Sequence, residues 1–496
     1  MTLSASEDRK AGATRDTIYA PASGHGRAAV ATIRISGPAS GEGLARLLRG
    51  RLPEARRASL RRLVHPATGE LLDQALVLWM PGPASFTGED QAELQIHGGL
   101  AVRSAVLQAL GALPHHRLAE PGEFTRRAFL NGRLDLTEVE GLADLIDAET
   151  EAQRRQALRQ MSGDLSGRIA SWRERLVDAL ASCEAALDFS DEDDVPDDVA
   201  AGALAAGAEV RREIARALAG AGRGERLREG FQVVIAGPPN AGKSTLLNAL
   251  ARRDVAIVSP VAGTTRDIIE VRCDLGGLPV IFVDTAGLRE SRDEIEREGI
   301  ARARARVESA DLVLWLVPPA TNTAPFQSSL ENTLHPHAEV PAEGWPRSTH
   351  NRFASFEASL REAPQDEDGG CSPASSAARL HVATKADLGP VPPGVDLAVS
   401  ARTGAGLPDL LSRIEEIAGR AMEAGGDAVL TRERHRDVLT RVVDCLDRAT
   451  LSGQTGAIEL LAEDLRLALR QLGRMTGAVD VEEVLDRIFS SFCIGK

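Results

Sequence analysis

The sequence predicts a multidomain chain in three parts: an α+β N-terminal domain, an all-α helical domain, and an α/β domain inserted between two halves of the helical one. Three observations carry that expectation. Short continuous apolar runs (Val233-Val234-Ile235, Val280-Ile281-Phe282-Val283, Leu312 to Val317 and Leu380-His381-Val382-Ala383) alternate with helical segments, which argues for a parallel sheet buried on both faces. On either side of that block, apolar residues recur at helical spacing. Ahead of all of it, short β-like runs mix with turn-rich loops. A length of 496 residues suits two to four domains with well-formed cores.

Taken in order, residues 1–133 form the first domain. It begins with a polar tail before Asp16 and continues with β-like runs at Ala29 to Ile35 and Ala75 to Trp79, set among loops such as Pro81-Gly82-Pro83 and His97-Gly98-Gly99. Residues 134–229 read as helical, with Leu142, Leu145 and Ile146 on one face and Ile169, Leu176 and Leu180 on another. An acidic break from Asp188 to Asp198, containing Pro196, separates two of these helices. Residues 230–423 are the α/β insert. Within it, 318–378 is rich in Pro, Ser, Thr, Glu and Asn without periodicity and is expected to be a disordered excursion. Residues 424–496 return to helix, through Leu460, Leu461, Leu465, Leu467 and Leu469 and then Val484, Leu485 and Ile488.

Composition narrows the function classes. A net charge of −14 argues against a general nucleic-acid coat. The local exception is the seven arginines 46, 49, 51, 56, 57, 61 and 62, which read as a solvated helix face and loop. Five scattered cysteines suggest neither a disulfide framework nor a metal site. The opening Met1-Thr2-Leu3-Ser4 leads no apolar run, and nowhere do about 18 apolar residues run together, so a cytoplasmic protein without a membrane span is expected. Only four lysines occur among the 58 basic residues: Lys10, Lys243, Lys385 and Lys496. Where arginine is so strongly preferred, a lysine invites a chemical explanation.

Lys243 has one. Gly237-Pro238-Pro239-Asn240-Ala241-Gly242-Lys243-Ser244 matches GxxxxGK[ST] and lies between a strand and a helix-forming run that starts at Thr245. Its backbone N–H groups are suited to curl round phosphates, with Lys243 reaching the β- and γ-phosphates and Ser244 a Mg²⁺ ion. Three further segments favour GTP over ATP. Asp284-Thr285-Ala286-Gly287 offers a carboxylate for the metal and a glycine N–H for the γ-phosphate. Thr384-Lys385-Ala386-Asp387 offers a carboxylate for the two guanine N–H donors, and Ser400-Ala401-Arg402 an N–H for the guanine carbonyl. Thr384 stands where asparagine is usual. Gly263-Thr264-Thr265-Arg266-Asp267 occupies the place of a switch loop, with Thr265 the candidate to complete Mg²⁺ coordination. Leu288 stands where some GTPases carry a water-orienting glutamine, which leaves Glu290, Glu294, Glu296 and Glu298 as alternatives that the spacing does not separate.

These motifs, with Thr32-Ile33-Arg34-Ile35-Ser36-Gly37, Pro83 to Asp90, Pro121-Gly122-Glu123-Phe124 and Phe489-Ser490-Ser491-Phe492-Cys493-Ile494-Gly495-Lys496, closely resemble the MnmE (TrmE) family of tRNA-modification GTPases. The resemblance implies a homodimer that works in a heterotetramer with the FAD-dependent MnmG. Together they would add an aminomethyl or carboxymethylaminomethyl group to C5 of the wobble uridine of certain tRNAs. It implies that the N-terminal domain dimerises and binds 5-formyltetrahydrofolate or a related tetrahydrofolate through Arg34, Glu93, Arg133 and Lys496. It also implies a K⁺ ion in place of an arginine finger, held by Asn240 and by Ser259, Val261 and Thr264 of the loop Ser259-Pro260-Val261-Ala262-Gly263-Thr264, with Glu296 orienting the water. Cys493 is a candidate for a direct chemical role. The alternatives are a ribosome-assembly GTPase acting as an RNA-binding switch, for which no KH-type GXXG segment is evident, and a GTP-gated scaffold, which would have no use for Arg34, Glu93 and Lys496.

Overall fold

The computed structural model describes residues 16–24, 26–188, 199–253, 255–257, 270–284, 310–319, 378–422 and 429–479, with Leu485, Ile488, Phe489, Phe492 and Gly495 beyond them. Most of the 318–378 excursion, the acidic break after Asp188 and the switch-loop segment therefore lie outside the described residues.

The N-terminal part runs β1 (Thr17–Pro21), β2 (Val30–Ser36), α1 (Ser40–Leu48), β3 (Ser59–Val64), β4 (Leu71–Met80), β5 (Gln91–His97), α2 (Leu100–Gly111), β6 (His116–Leu118) and α3 (Glu123–Leu130). Its six-stranded sheet has the order β3-β4-β5-β2-β1-β6, antiparallel throughout except for β6 beside β1. Alternation along β2 sends Ala31, Ile33 and Ile35 into a core with Leu44 and Leu47 of α1 and Val106, Ala109 and Leu110 of α2. Thr32, Arg34 and Ser36 are thereby left to the opposite face. The arginine-rich stretch is only partly helix and loop, because Arg61 and Arg62 lie on β3, the edge strand.

Five helices follow: α4 (Leu136–Asp147), α5 (Glu151–Met161), α6 (Asp164–Asp188), α7 (Val199–Ala219) and α8 (Ala221–Glu229). Capping boxes start α4 (Asp135 with Glu138) and α5 (Thr150 with Gln153), each satisfying two orphan N–H groups. The α/β part then runs β7 (Phe231–Ala236), α9 (Lys243–Ala251), β8 (Glu270–Leu275), β9 (Leu278–Asp284), β10 (Leu312–Val317), β11 (Ala378–Ala383), β12 (Leu397–Ala398) and α10 (Leu407–Met422). The helical pattern resumes as α11 (Glu433–Gln454) and α12 (Ile458–Thr476). Helices from both sides of the insert share one core, in which Leu165, Ile169, Trp172 and Leu176 of α6 meet Leu439, Val442, Leu461 and Leu465 of α11 and α12.

The second sheet has the order β12-β11-β10-β7-β9-β8. It is parallel as expected from β12 to β9, but β8 runs antiparallel to β9. Gly276 and Gly277, with φ of 60° and 87°, close that pair as a two-residue hairpin, and Asp274 Oδ1 accepts from the Gly277 N–H at 2.7 Å. β8 is the edge strand and its residues alternate (Val271, Cys273 and Leu275 buried, Glu270 and Arg272 exposed), so it shows no continuous apolar run.

A buried polar cluster joins the helices before and after the insert. The Glu140 carboxylate of α4 accepts from Arg434 Nε at 3.1 Å and Nη2 at 2.9 Å and lies 2.7 Å from His435 Nε2. Burial works against the Glu140 charge, but His435, Arg434 and Arg432 outweigh it and hold the carboxyl well below its usual range. Burial also pushes fully enclosed His435 down, against the pull of Glu140.

Candidate functional site

The glycine loop leaves the carboxyl end of β7, the central strand, and closes at the N-terminus of α9, so the N–H groups of that turn face out of the sheet. Lys243 Nζ donates to the Gly237 and Pro238 carbonyls at 2.8 and 3.0 Å, folding its ammonium across the loop it belongs to. Ser244 Oγ donates to Asp284 Oδ2 at 2.7 Å, which brings a hydroxyl and a carboxylate oxygen from α9 and β9 to one point. Two hard oxygens at that point fit a divalent cation such as Mg²⁺. Thr245 lies in the first turn of α9, and Ala241 is fully buried beneath the loop.

Two loops 143 to 145 positions apart in sequence are joined directly. Thr384 Oγ1 donates to the Ala241 carbonyl at 2.6 Å, and Lys385 Nζ to the Asn240 carbonyl at 2.8 Å. Asn240 and Lys385 both sit in the left-handed region, at φ 63° and 54°, a conformation that non-glycine residues hold only where their surroundings fix it. Thr384 is thus a buried tie between β11 and the glycine loop. Asparagine, usual at that place, is not required for the tie. Ser400 Oγ donates to Asp387 Oδ1 at 2.7 Å, and that bond holds the Asp387 carboxyl below its usual range. Ala386 N–H donates to the Val399 carbonyl at 3.2 Å, and Arg402 adds favourable charge near Asp387. Ala401 lies in the same turn, which is closed by Gly404 N–H to the Ser400 carbonyl at 2.9 Å.

Ser259, Pro260, Val261, Ala262, Gly263, Thr264, Thr265, Thr285, Ala286, Gly287 and Glu296 lie outside the described residues, as do Cys493 and Lys496. Among the described residues no group of three or more His, Cys, Asp or Glu side chains forms a metal site.

In the N-terminal sheet, Arg34 of β2 and Glu93 of β5 are direct cross-strand partners. Arg34 Nε donates to Glu93 Oε1 at 3.0 Å, with Nη2 at 3.0 Å from the same oxygen. The guanidinium carbon lies 5.6 Å from the ring centre of Phe86 and 5.7 Å from that of Phe124, within cation–π range of both. These two rings were not singled out by sequence, because nothing local marks them as neighbours of Arg34. Beside them Ser36 Oγ donates to Glu89 Oε2 at 2.8 Å, and buried Arg127 bridges Glu89 and Glu123 at 3.1 and 3.0 Å. Arg133 lies on the surface with its stem against Gly88. Gly495 brings the far end of the chain to the same place. A Cβ there would stand 2.0 Å from the Pro21 carbonyl of β1, one residue beyond the Ala20 that pairs with Arg34. Phe489 and Phe492 hold that segment against Phe129, Leu136 and Val139.

A central parallel sheet, a glycine loop ending in Lys-Ser at a helix N-terminus and a TKxD loop bonded to it define a P-loop GTPase domain, here set within a helical domain. The comparisons place it more narrowly. Residues 17–133 match the family model described as the GTP-binding protein TrmE N-terminus, and residues 136–493 match that of the MnmE helical domain. The tRNA modification GTPase MnmE of Methylobacterium sp. (strain 4-46) is 57% identical over 97% of this chain and 100% of its own length. That of Methylorubrum populi is 56% identical over 97% and 98%, and that of Rhodospirillum rubrum 49% identical over 97% and 100%. The chain belongs to the MnmE family of tRNA modification GTPases. No helix among the described residues is long and apolar enough to cross a membrane.

Proposed function

We propose that this chain is the GTP-hydrolysing component of a cytoplasmic complex that adds an aminomethyl or carboxymethylaminomethyl group to C5 of the wobble uridine of certain tRNAs. In this reading it is a homodimer that pairs with the FAD-dependent MnmG, and its N-terminal domain supplies a one-carbon unit from 5-formyltetrahydrofolate or a related tetrahydrofolate. The division at 133/134, 229/230 and 423/424 belongs to the same reading.

The observation that carries the nucleotide half is the direct bonding of the guanine-recognition loop to the phosphate loop, through Thr384 to Ala241 and Lys385 to Asn240. Base and phosphate sites are thereby set at a fixed separation, which positions the γ-phosphate without loss of further freedom. Asp387, kept ionised and oriented by Ser400, accepts the two N–H donors of guanine, which adenine does not present together. Lys243 exchanges its two loop carbonyls for the β- and γ-phosphate oxygens. Ser244 and Asp284 would hold Mg²⁺, with Thr265 adding a ligand, and the chemistry so supplied would be charge neutralisation at the β- and γ-phosphates. Asn240, Ser259, Val261 and Thr264 would hold K⁺, and Glu296 would orient the water. In the N-terminal sheet, Glu93 would accept from pterin N–H groups with Arg34 bonded beside it, and Arg133 and Lys496 supply cations suited to the folate's carboxylates.

Nucleotide preference of the purified chain tests the core of this reading. GTP is expected to be hydrolysed at least tenfold faster than ATP, and Asp387→Asn is expected to move the preference towards xanthosine triphosphate, whose carbonyl accepts from an amide. Equal turnover of GTP and ATP would overturn it.

A further inference from the structure

We infer that the outer edge of the N-terminal sheet, from the end of α1 through β3, is a docking surface for the phosphate backbone of tRNA. The inference rests on the tRNA reading above and assigns it a place on this chain. All seven arginines between 46 and 62 are exposed. Two are neutralised locally, Arg46 by Glu42 at 2.6 Å and Arg57 by Glu54 at 2.9 Å. The other five, Arg49, Arg51, Arg56, Arg61 and Arg62, have no acidic partner among the described residues.

Their placement gives these charges a shape. β3 is the outermost strand, so among the described residues no strand pairs with its outer edge, and its six residues span about 20 Å. Arg61 and Arg62 project to opposite faces from the middle of that edge, opposite Ala75 and Gln74 of β4. Arg49 caps α1 in the left-handed conformation and lays its guanidinium on Gly69 in the β3–β4 turn. Arg56, also left-handed, is anchored at the other end by a bond to the Ala84 carbonyl. Both ends of the row are therefore held by backbone geometry, and the middle is free to meet a ligand.

The chain carries a net charge of −14, so a phosphate polymer meets repulsion over most of its surface, and an unneutralised arginine edge is a local reversal. Guanidinium forks match phosphate oxygens in pairs. A second copy of the same edge would set arginine against arginine, which disfavours it as the occupant. A row of edge charges also guards a strand against aggregation, and the experiment separates that role from docking.

Binding of a tRNA transcript to the full-length chain, measured by fluorescence anisotropy across a KCl series, tests the surface. The Arg51→Gln/Arg61→Gln/Arg62→Gln variant is expected to bind at least tenfold more weakly at low salt. The slope of log affinity against log salt should be shallower by about two to three. The corresponding triple lysine variant should stay close to the unsubstituted chain, and GTP turnover without tRNA should not change in either. Unchanged affinity and slope in the glutamine variant would overturn the inference, as would an unsubstituted chain that does not bind tRNA at low salt. A change in oligomeric mass with unchanged tRNA binding would also overturn it, assigning the edge to contact between copies. If the triple variant does not fold, Arg61→Gln alone should reduce the slope by about one. Nucleoside analysis of tRNA from cells lacking the protein separates the two readings. If the unsubstituted gene restores a wobble modification while the edge variant binds tRNA normally, the edge assignment alone fails.

Discussion

In the α/β sheet the candidate chemistry sits in loops beyond the carboxyl ends of parallel strands: Asn240 to Ser244 after β7, Asp284 at the end of β9, Thr384 to Asp387 after β11. In the N-terminal sheet it stands in mid-strand, where Arg34 and Glu93 meet across β2 and β5 on the face opposite the helices. The loops of the α/β sheet offer a ligand backbone N–H groups and strained residues, and are tied to one another by Thr384 and Lys385. The N-terminal sheet offers side chains alone, held by two aromatic rings and a carboxylate. A loop site is written in contiguous residues, whereas a strand-face site is written in register.

If the two sites are built so differently, each should fail without the other. Lys243→Ala should lower GTP turnover by about 10²–10³-fold, the scale for removing one preorganised charge-stabilising donor, with folate binding unaffected. Coupled loss of both, read by isothermal titration, would break the comparison. Arg34→Gln should weaken 5-formyltetrahydrofolate binding by about 10–100-fold, the range for a charged hydrogen bond, and leave GTP turnover unchanged.

Acid should affect the helical frame that carries both sheets before it affects either site. His435 is held below its usual value and Glu140 below the carboxylate range, so the unfolded chain binds more protons at each. The contributions of His435 and Glu140 should therefore fall as pH drops below about 6.5, first through His435 and further through the carboxylate range. Asp144, bonded to Arg432 in the same cluster and pushed up by burial to about 6, has the opposite sign and offsets part of the loss between about pH 6 and 4. Glu140→Gln should flatten the lower part of that profile in thermal unfolding. The smallest effect is expected from Thr384→Val, which keeps the shape but removes the bond to Ala241 and should cost about 1 kcal/mol, roughly fivefold, in GTP affinity.

How much of this was legible follows from the same contrast. The glycine loop, Asp284, the TKxD segment and Ser400 could be read because each is a short string after an apolar run. Arg34 and Glu93 are 59 positions apart and meet only through antiparallel register, so without the family resemblance they read as surface charges. Phe86 and Phe124 carried no local sign of packing on Arg34. β8 escaped because its apolar residues alternate, and β3 because three exposed residues in succession, Leu60 to Arg62, hide its period. The tie from Thr384 to Ala241 turned an apparent departure from the usual asparagine into a structural bond.

The proposed function is tested by nucleoside mass spectrometry on tRNA from cells lacking this protein, complemented with the unsubstituted gene, Ser244→Ala or Arg34→Gln. The unsubstituted gene is expected to restore a C5-modified wobble uridine and neither variant to do so, since both sheets serve one reaction in the proposed function. Full restoration by either variant, or no change in the nucleoside profile when the protein is lost, would contradict it.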